Sequence, residues 1–379
     1  MEMIKTKTAN AIRVLSADAI EKAKSGHPGL PLGCASIAYE LWAEHMKHNP
    51  ADPEWVDRDR FVLSGGHGSM LLYSLFHLFG YGDLSIDDIK NFRQTGSLTP
   101  GHPEYRHTVG VEATTGPLGQ GMGMAVGMAM AEAHLAAVFN KEDCKIVDHY
   151  TYVLGADGCM MEGLSSEAFS LAGTLGLGKL IVIYDSNNIS IEGNTDIAFR
   201  EDVAKRMEAY GFGVFKVEDG NDFDAIGAAI EAAKADTDRP SIIIVHTEIG
   251  YGCPAKQGKA SAHGEPLGGD NVLALKENIG WESMEPFFVP QDVYDHMETV
   301  KERLKTPEEE WKARFALYCE KYPEMKELWD QYHDGNLAEK LYDQEEFWAF
   351  EDKPQATRNV SGELLNRINQ AVPNLFGGS

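Results

Sequence analysis

Short apolar runs alternate with helical segments through the first two-thirds of the chain, and this alternation constrains the fold most. The runs are short, apolar and mostly rich in β-branched residues: 60–63, 150–154, 180–184, 213–217 and 241–246. Segments with helical spacing of apolar residues lie between the last four runs, at 162–175, 201–210 and 222–235. Such an alternation predicts an α/β fold, with a mostly parallel sheet and helices on both of its faces.

The remaining segments predict helices at both ends of this alternation. Residues 5–24 have helical spacing, and 116–139 is rich in Gly, Ala and Met, which suits a helix packed closely against another. From about residue 280 the chain becomes acidic, and we expect helices at 290–304, 307–321 and 323–341, with a turn-like tail at 374–379. We therefore expect an α/β domain over 1–280, followed by a helical appendage and linker over 281–379.

Composition excludes several classes of protein. The net charge of -25, from 59 acidic and 34 basic residues, repels nucleic acid and anionic membranes. No apolar run is expected to span a membrane, because the closest one is interrupted by Glu132 and His134. Five cysteines without CxxC pairing argue against a disulfide framework and favour a reducing cytoplasm.

Polar residues follow two of the predicted strands. Asp157 and Gly158 come directly after one strand, and Asn187 follows the next strand about thirty residues later. The carboxyl ends of parallel strands meet at one edge of a sheet, so these side chains can reach the same point. With a backbone carbonyl and a diphosphate they would complete an octahedral Mg²⁺ or Ca²⁺ site. Either half alone would be explained as well by an ordinary turn or loop.

Four of the thirteen histidines lie in loops rich in Gly and Pro: His27, His67, His102 and His263. Glycine allows the backbone to approach a ligand, and an imidazole can donate to a phosphate or transfer a proton. A zinc site is the competing explanation, but no HxxxH or HExxH spacing supports it.

These motifs together resemble those of the transketolases. The Asp157 and Asn187 pair is similar to the thiamine-diphosphate fingerprint, Gly-Asp-Gly followed about thirty residues later by Asn, although Ala156 replaces the first glycine. Further similar segments occur in family order: SGHPGLPLG from Ser25, LSGGHGSM from Leu63, TPGHPE from Thr99, GPLGQG from Gly116 and SAHGEPLG from Ser261. Dihydroxyacetone synthase is a relative that the motifs do not exclude.

The resemblance implies a role for each matching residue. The metal ligands would be Asp157, Asn187 and the carbonyl of Ile189. The cofactor would be contacted by these residues: His67, Gly158 and His263 at the diphosphate, and Gly116, Leu118 and Ile191 at the rings. Substrate would be contacted by His27 and His102, and its phosphate by Arg358. The catalytic candidates for proton transfer and the reacting end are His27, His263 and His102, while Glu162 would have a supporting role near a subunit interface.

The resemblance also implies that the site is incomplete. In this family the glutamate that activates the aminopyrimidine lies in a following pyrimidine-binding domain, and each site is built between two subunits. We therefore expect sugar-phosphate substrates, a homodimer or a partner chain that supplies the missing domain, and little turnover by this chain alone. A fragment, one subunit of a split transketolase, and a non-catalytic diphosphate-binding module remain open.

Overall fold

The computed structural model describes residues 2–335 and 339–377. Within these residues the chain forms two compact units. The first consists of Met1–His134 and Asp148–Glu310, and the second of Leu135–Val147 and Trp311–Ser379, as far as they are described. The division into 1–280 and 281–379 stays a prediction. The last two residues of the predicted tail lie outside the described residues.

A five-stranded parallel sheet forms the centre of the first unit. Its strands lie in the order β1-β2-β3-β7-β6, and every neighbouring pair is parallel. The strands are β1 (Arg60–Leu63), β2 (Thr151–Ala156), β3 (Leu180–Ser186), β6 (Gly213–Val217) and β7 (Ser241–His246). A small antiparallel hairpin, β4 (Ile189–Ser190) with β5 (Gly193–Asn194), follows β3. The predicted α/β class and the mostly parallel sheet are confirmed.

Helices cover both faces of the sheet. The helices of the first part of the chain are α1 (Glu2–Ala23), α2 (Gly29–Glu40), α3 (Ser69–Phe79), α4 (Ile86–Lys90), α5 (Gln120–Phe139), α6 (Asp157–Met161), α7 (Gly163–Leu175), α8 (Val203–Ala209), α9 (Phe223–Ala235) and α10 (Gly269–Asn278). Those that follow are α11 (Gln291–Lys321), α12 (Pro323–His333), α13 (Glu339–Tyr342), α14 (Glu345–Trp348) and α15 (Thr357–Ala371).

Alternating side chains of the central strands explain the two layers of helices. Leu154 and Ile183 belong to one buried cluster, which contains residues of α1, α2 and α3. Val153 and Val182 belong to a second buried cluster, with residues of α5, α7 and α8. Successive residues of a strand point to opposite faces, so a strand buried on both faces is apolar throughout. This explains why the sequence segments that form these strands are apolar without interruption.

Two expectations for the helical appendage are wrong. The segments 290–304 and 307–321 form one helix, α11, with Pro307 inside it. Buried Leu304 precedes the proline, and buried Glu308 follows it and accepts from Asn49 Nδ2 at 2.5 Å. These contacts hold the helix together although proline removes one backbone hydrogen bond. The segment 323–341 is not one helix either, because α12 ends at His333; residues 336–338 of that prediction lie outside the described residues.

Helix α5 does not agree with the expectation that no apolar run is able to span a membrane. By length and composition it is sufficient to cross a bilayer, and no other described helix is. A core helix of a globular domain meets the same criteria. Met122, Ala125 and Ala129 are buried in the second cluster, while 33% of the apolar window of α5 is buried.

The second unit has its own aromatic contacts. Trp311 donates from Nε1 to the carbonyl of Ile146 at 2.8 Å, and the Tyr318 hydroxyl donates to the carbonyl of Phe139 at 2.6 Å. The ring of Trp329 meets that of Phe139 edge to face, at 4.9 Å between centroids. Helix α15 has no buried residue.

Candidate functional site

A cavity of about 420 Å³ lies beyond the carboxyl ends of β1, β2 and β3. Ligands of parallel α/β sheets bind at this edge, and the volume suits a small organic cofactor. Nine of the predicted site residues line it: His27, His67, Gly116, Leu118, Gly158, Asn187, Ile189, Ile191 and His263. Segments distant in sequence therefore meet at one place.

Three imidazoles form a cluster at this cavity. The ring centroids of His27 and His67 are 5.1 Å apart, those of His67 and His263 are 5.1 Å apart, and those of His27 and His263 are 5.8 Å apart. Each ring comes from a different loop: one between α1 and α2, one after β1 and one after β7. No local sequence pattern could bring them together, so the cluster depends on the parallel sheet.

The surroundings keep these imidazoles neutral at pH 7. Burial, together with the nearby guanidinium of Arg93, lowers the pKa of His27 to about 4. Burial, with the neighbouring imidazoles, lowers the pKa of His67 to about 3. Burial also lowers the pKa of His263 and of His102. A neutral imidazole both donates and accepts, so the cluster can bind an anion through N–H groups and can accept a proton.

Two glycines allow the loops to approach one another. A Cβ at Gly66 would lie 2.4 Å from Thr115 Oγ1 and 2.9 Å from the amide nitrogen of Gly116. Gly116 itself has φ +153, a conformation that side chains other than glycine rarely adopt. The loop that carries His67 and the loop that carries Gly116 thus pack backbone against backbone.

Asp157 provides a buried carboxylate at the start of α6, directly after β2. It is 1% exposed, and its Oδ1 accepts a hydrogen bond from the Tyr184 hydroxyl at 2.5 Å. Its other oxygen, Oδ2, is buried without a hydrogen-bond partner. Burial and the nearby Asp185 carboxyl raise the pKa of Asp157 to about 6, although the Tyr184 hydroxyl and the backbone N–H groups of Asn187 and Asn188 oppose the shift. A buried carboxylate oxygen without a donor is a fitting ligand for a hard cation.

Asn187 lies at the same edge, because β2 and β3 are paired with Ala156 opposite Asp185. Its Oδ1 accepts from the amide of Ile189 at 3.0 Å, and its Nδ2 donates to Asp185 at 3.0 Å.

No cluster of three His, Cys, Asp or Glu suited to a metal occurs among the described residues. The predicted ligand set contains only one carboxylate, together with an amide and a carbonyl, and these donors fit Mg²⁺ or Ca²⁺ rather than zinc.

Ala156, the departure from the fingerprint, causes no backbone strain. It has φ −109 and ψ −173, an extended conformation that any residue adopts. Its side chain lines the cavity. The methyl group therefore changes the shape of the cavity wall without changing the path of the chain.

The other predicted residues have different positions. His102 does not line the cavity, but its ring lies against Gly116, where a Cβ would be 3.3 Å from His102 Cδ2. Glu162 is exposed and lines the cavity. Arg358 is exposed in the first turn of α15, in the second unit, so its phosphate contact stays a prediction.

Sequence reasoning missed Arg93. This residue has φ +60, and its Nη1 donates to Ser25 Oγ at 2.7 Å. Its Nη2 lies 3.5 Å from Nδ1 of His27, and its Nε is buried without a partner. The only signal in the sequence was an isolated arginine nine residues before His102, in a polar loop of an acidic chain. The structure adds a cation beside the imidazole cluster.

Comparison with known proteins agrees with this geometry. The family model described as "Transketolase, thiamine diphosphate binding domain" matches residues 4–338. A transketolase of Geobacillus stearothermophilus is 54% identical over 370 residues, which cover 97% of this chain and 55% of that protein. A transketolase of a Nostoc species is 55% identical over 371 residues, with 98% and 55% covered.

Solved structures give the same result. A transketolase from Leishmania mexicana has a TM-score of 0.91 and 44% identity, over 97% of this chain and 55% of that one. A Pichia stipitis transketolase in complex with sedoheptulose-7-phosphate has a TM-score of 0.91 and 44% identity, over 98% and 54%. The chain spans about half the length of the curated relatives it matches. From the fold, the histidine cluster and these matches together, the chain belongs to the transketolase family, of which it carries the thiamine-diphosphate-binding domain.

Proposed function

We propose that this chain provides the diphosphate- and metal-binding half of a transketolase active site. The complete enzyme would transfer a two-carbon ketol unit from a ketose phosphate to an aldose phosphate, in the pentose phosphate pathway. The observation that carries the proposal is the meeting of three neutral imidazoles with Asn187 at one cavity, beside the buried carboxylate of Asp157.

The metal would be held by Asp157, Asn187 and the carbonyl of Ile189. The buried Oδ2 of Asp157, which makes no hydrogen bond of normal geometry, supports this assignment. A divalent cation supplies the missing partner and also offsets the charge of the diphosphate. Mg²⁺ and Ca²⁺ both accept such oxygen ligands.

The cofactor would lie along the cavity from the imidazoles towards the hairpin. His67, Gly158 and His263 would contact the diphosphate, and Gly116, Leu118 and Ile191 would contact the rings. Ile191 is 64% exposed, which leaves an apolar surface open to a ring. When bound, thiamine diphosphate supplies the nucleophile and the electron sink for cleaving and forming a carbon–carbon bond.

Proton transfer and substrate contact would depend on His27, His102 and His263. The low pKa of His27, about 4, leaves its imidazole free to accept a proton at neutral pH. We add Arg93 to the substrate-contacting residues, because its guanidinium adjoins His27 and has an unpartnered buried Nε. Arg358 would bind the substrate phosphate.

The remainder of the site would come from sequence beyond these 379 residues, since the relatives are about twice as long. We propose that a pyrimidine-binding domain and a second subunit complete the site, and that this chain alone has little or no turnover. An apolar groove of about 440 Å³ between α5 and α7, with Met124 and Leu171 exposed beside it, supports a contact with another domain or subunit. All five cysteines are free, which suits the cytoplasm.

Calorimetry would test the binding half of the proposal. Thiamine diphosphate with Mg²⁺ should bind the chain and raise its melting temperature, whereas the cofactor with EDTA should not. Asp157→Ala should abolish the effect, while Asp238→Ala, at an exposed loop carboxylate, should not. Cofactor-dependent stabilisation that survives Asp157→Ala would contradict the metal assignment.

A test of catalytic activity requires the other half of the proposed active site. After addition of a chain carrying the pyrimidine-binding domain, xylulose 5-phosphate and ribose 5-phosphate should be converted, and His27→Ala should reduce the rate. Turnover by the 379-residue chain alone at an ordinary enzymatic rate would contradict the half-site proposal.

A further inference from the structure

Asp185 is a buried carboxylate beside the proposed metal ligands. It is 1% exposed, in the next-to-last position of β3. The Thr247 hydroxyl donates to Oδ1 and Asn187 Nδ2 donates to Oδ2 at 3.0 Å, while the Cys34 thiol, also a hydrogen-bond partner, and the His246 imidazole lie close enough to favour its charged form. No lysine or arginine among the described residues forms an ion pair with it. Burying an unpaired carboxylate is costly, so its retention at this position calls for an explanation.

The explanation lies in the two ends of the Asn187 amide. The oxygen and nitrogen ends have nearly the same shape, but only the oxygen can bind a cation. Nδ2 donates and never accepts, so the group opposite it must be an acceptor. An aspartate carboxylate meets this requirement, and a reversed amide would place two oxygens against each other. The Ile189 amide, which donates to Oδ1 at 3.0 Å, favours the same orientation from the other side.

Thr247 fixes the carboxylate in turn. It directly follows β7, which is paired in parallel with β3 so that Ser186 lies opposite His246. The Thr247 amide donates to the carbonyl of Ser186 at 3.3 Å, while its hydroxyl donates to Asp185. The chain of contacts thus runs from the end of β7 through Asp185 to Asn187, and two neighbouring strands hold it.

We propose that Asp185 is a positioning residue for the metal site, which directs the oxygen of Asn187 towards the cation and its nitrogen away from it. Asp185 contacts the ligand and not the metal. Thr247 supports it by holding one oxygen of the carboxylate. This inference rests on the proposed function, because it assumes that a divalent cation binds Asn187.

Exchanging the side chains of Asp185 and Asn187 tests the direction of the hydrogen bond between these two residues. In Asp185→Asn, the new amide could still accept from Thr247, but its nitrogen would face Asn187 and compete with the original orientation. In the double variant Asp185→Asn with Asn187→Asp, the amide at 185 accepts from Thr247 and donates to the carboxylate at 187. A ligand oxygen is then restored at 187 with the same total charge.

The measurement is Mn²⁺ binding by EPR in the presence of thiamine diphosphate, on the 379-residue chain, with a melting curve of each metal-free variant. Loss of such a supporting contact typically weakens metal binding about 10- to 100-fold. We expect that loss for Asp185→Asn, recovery to within about tenfold of wild type for the exchange, and wild-type binding for the exposed control Asp219→Asn.

The possible failures can be told apart by their results. Unchanged Mn²⁺ binding in Asp185→Asn overturns this inference alone, and so does an exchange variant no better than the single one. Absence of Mn²⁺ binding by the wild-type chain overturns the proposed metal site as well. If Asp185→Asn does not fold, the test is the comparison of the exchange variant with wild type. A folded exchange variant that binds Mn²⁺ supports the inference, and a folded one that does not bind Mn²⁺ refutes it.

Discussion

Glu132 should make the stability of this protein fall as the pH rises towards neutrality. Its side chain lies in α5 and is 4% exposed. Burial raises its pKa from 4.5 to about 7, while Lys179 opposes the shift and Asp148 adds to it. Replacing it by glutamine keeps the shape of the side chain and removes the ionisation.

The sign and size follow from proton linkage. Between pH 4.5 and 7 the folded state holds this proton more tightly than the unfolded state, so stability decreases as the pH rises. The shift from 4.5 to about 7 corresponds to about 3 kcal/mol at 1.36 kcal/mol for each pKa unit. This decrease in stability is absent below pH 4.5 and complete above pH 7. Glu132→Gln should therefore equal wild type at pH 4.5 and be more stable by up to about 3 kcal/mol at pH 8.

Urea denaturation of the two proteins, side by side from pH 4.5 to 8, measures the difference. Other titrating groups, such as Asp59 with its pKa raised to about 6 by burial, are common to both proteins and cancel. Glu208→Gln, at an exposed glutamate of α8, is the matched control and should follow wild type at every pH. A difference between Glu132→Gln and wild type that does not change with pH would refute the reasoning.

Three further predictions concern packing. Gly66→Ala should cost about 1–3 kcal/mol in urea denaturation, and weaken thiamine-diphosphate binding, because the new methyl group collides with the neighbouring loop. Leu171→Glu should lower the oligomeric state or the affinity for the missing domain in light scattering, whereas Leu273→Glu, equally exposed in α10, should not. Lys276→Met should cost about 3–5 kcal/mol, because it leaves Asp18 buried without its partner at 2.9 Å; adding Asp18→Asn should recover part of the loss.

The sheet, and the meeting of Asp157 and Asn187 at one of its edges, were predictable because both depend on local signals. Each strand is a run buried on two faces, and 60–63, 213–217 and 241–246 were predicted with the bounds that the structure has. The parallel order places the ends of neighbouring strands together, so Asp157 and Asn187 could be paired across thirty residues. Burial of the Asp157 side chain and its unpartnered oxygen could not be predicted, since they depend on packing.

The errors arise where distant contacts outweigh a local signal. Separate helices were predicted at 290–304 and 307–321, but the buried residues on both sides of Pro307 hold α11 together. Arg93 carried no motif, and its place beside His27 depends on the path of the loop that follows α4. Contacts between loops that are distant in sequence determine where such side chains lie, and these contacts cannot be predicted from a single sequence.

An acidic chain that binds an anionic cofactor must reduce the repulsion locally. None of the described residues that line the cavity is lysine or arginine, while Glu162, Asp185 and Glu192 all line it. The imidazoles do not supply positive charge, because burial holds their pKa values below neutrality. At an effective dielectric constant of 20, one pair of unit charges 4 Å apart is worth about 4 kcal/mol. The proposed divalent cation would offset this repulsion, together with the Arg93 guanidinium beside His27, while the imidazoles would contribute directional N–H groups rather than charge.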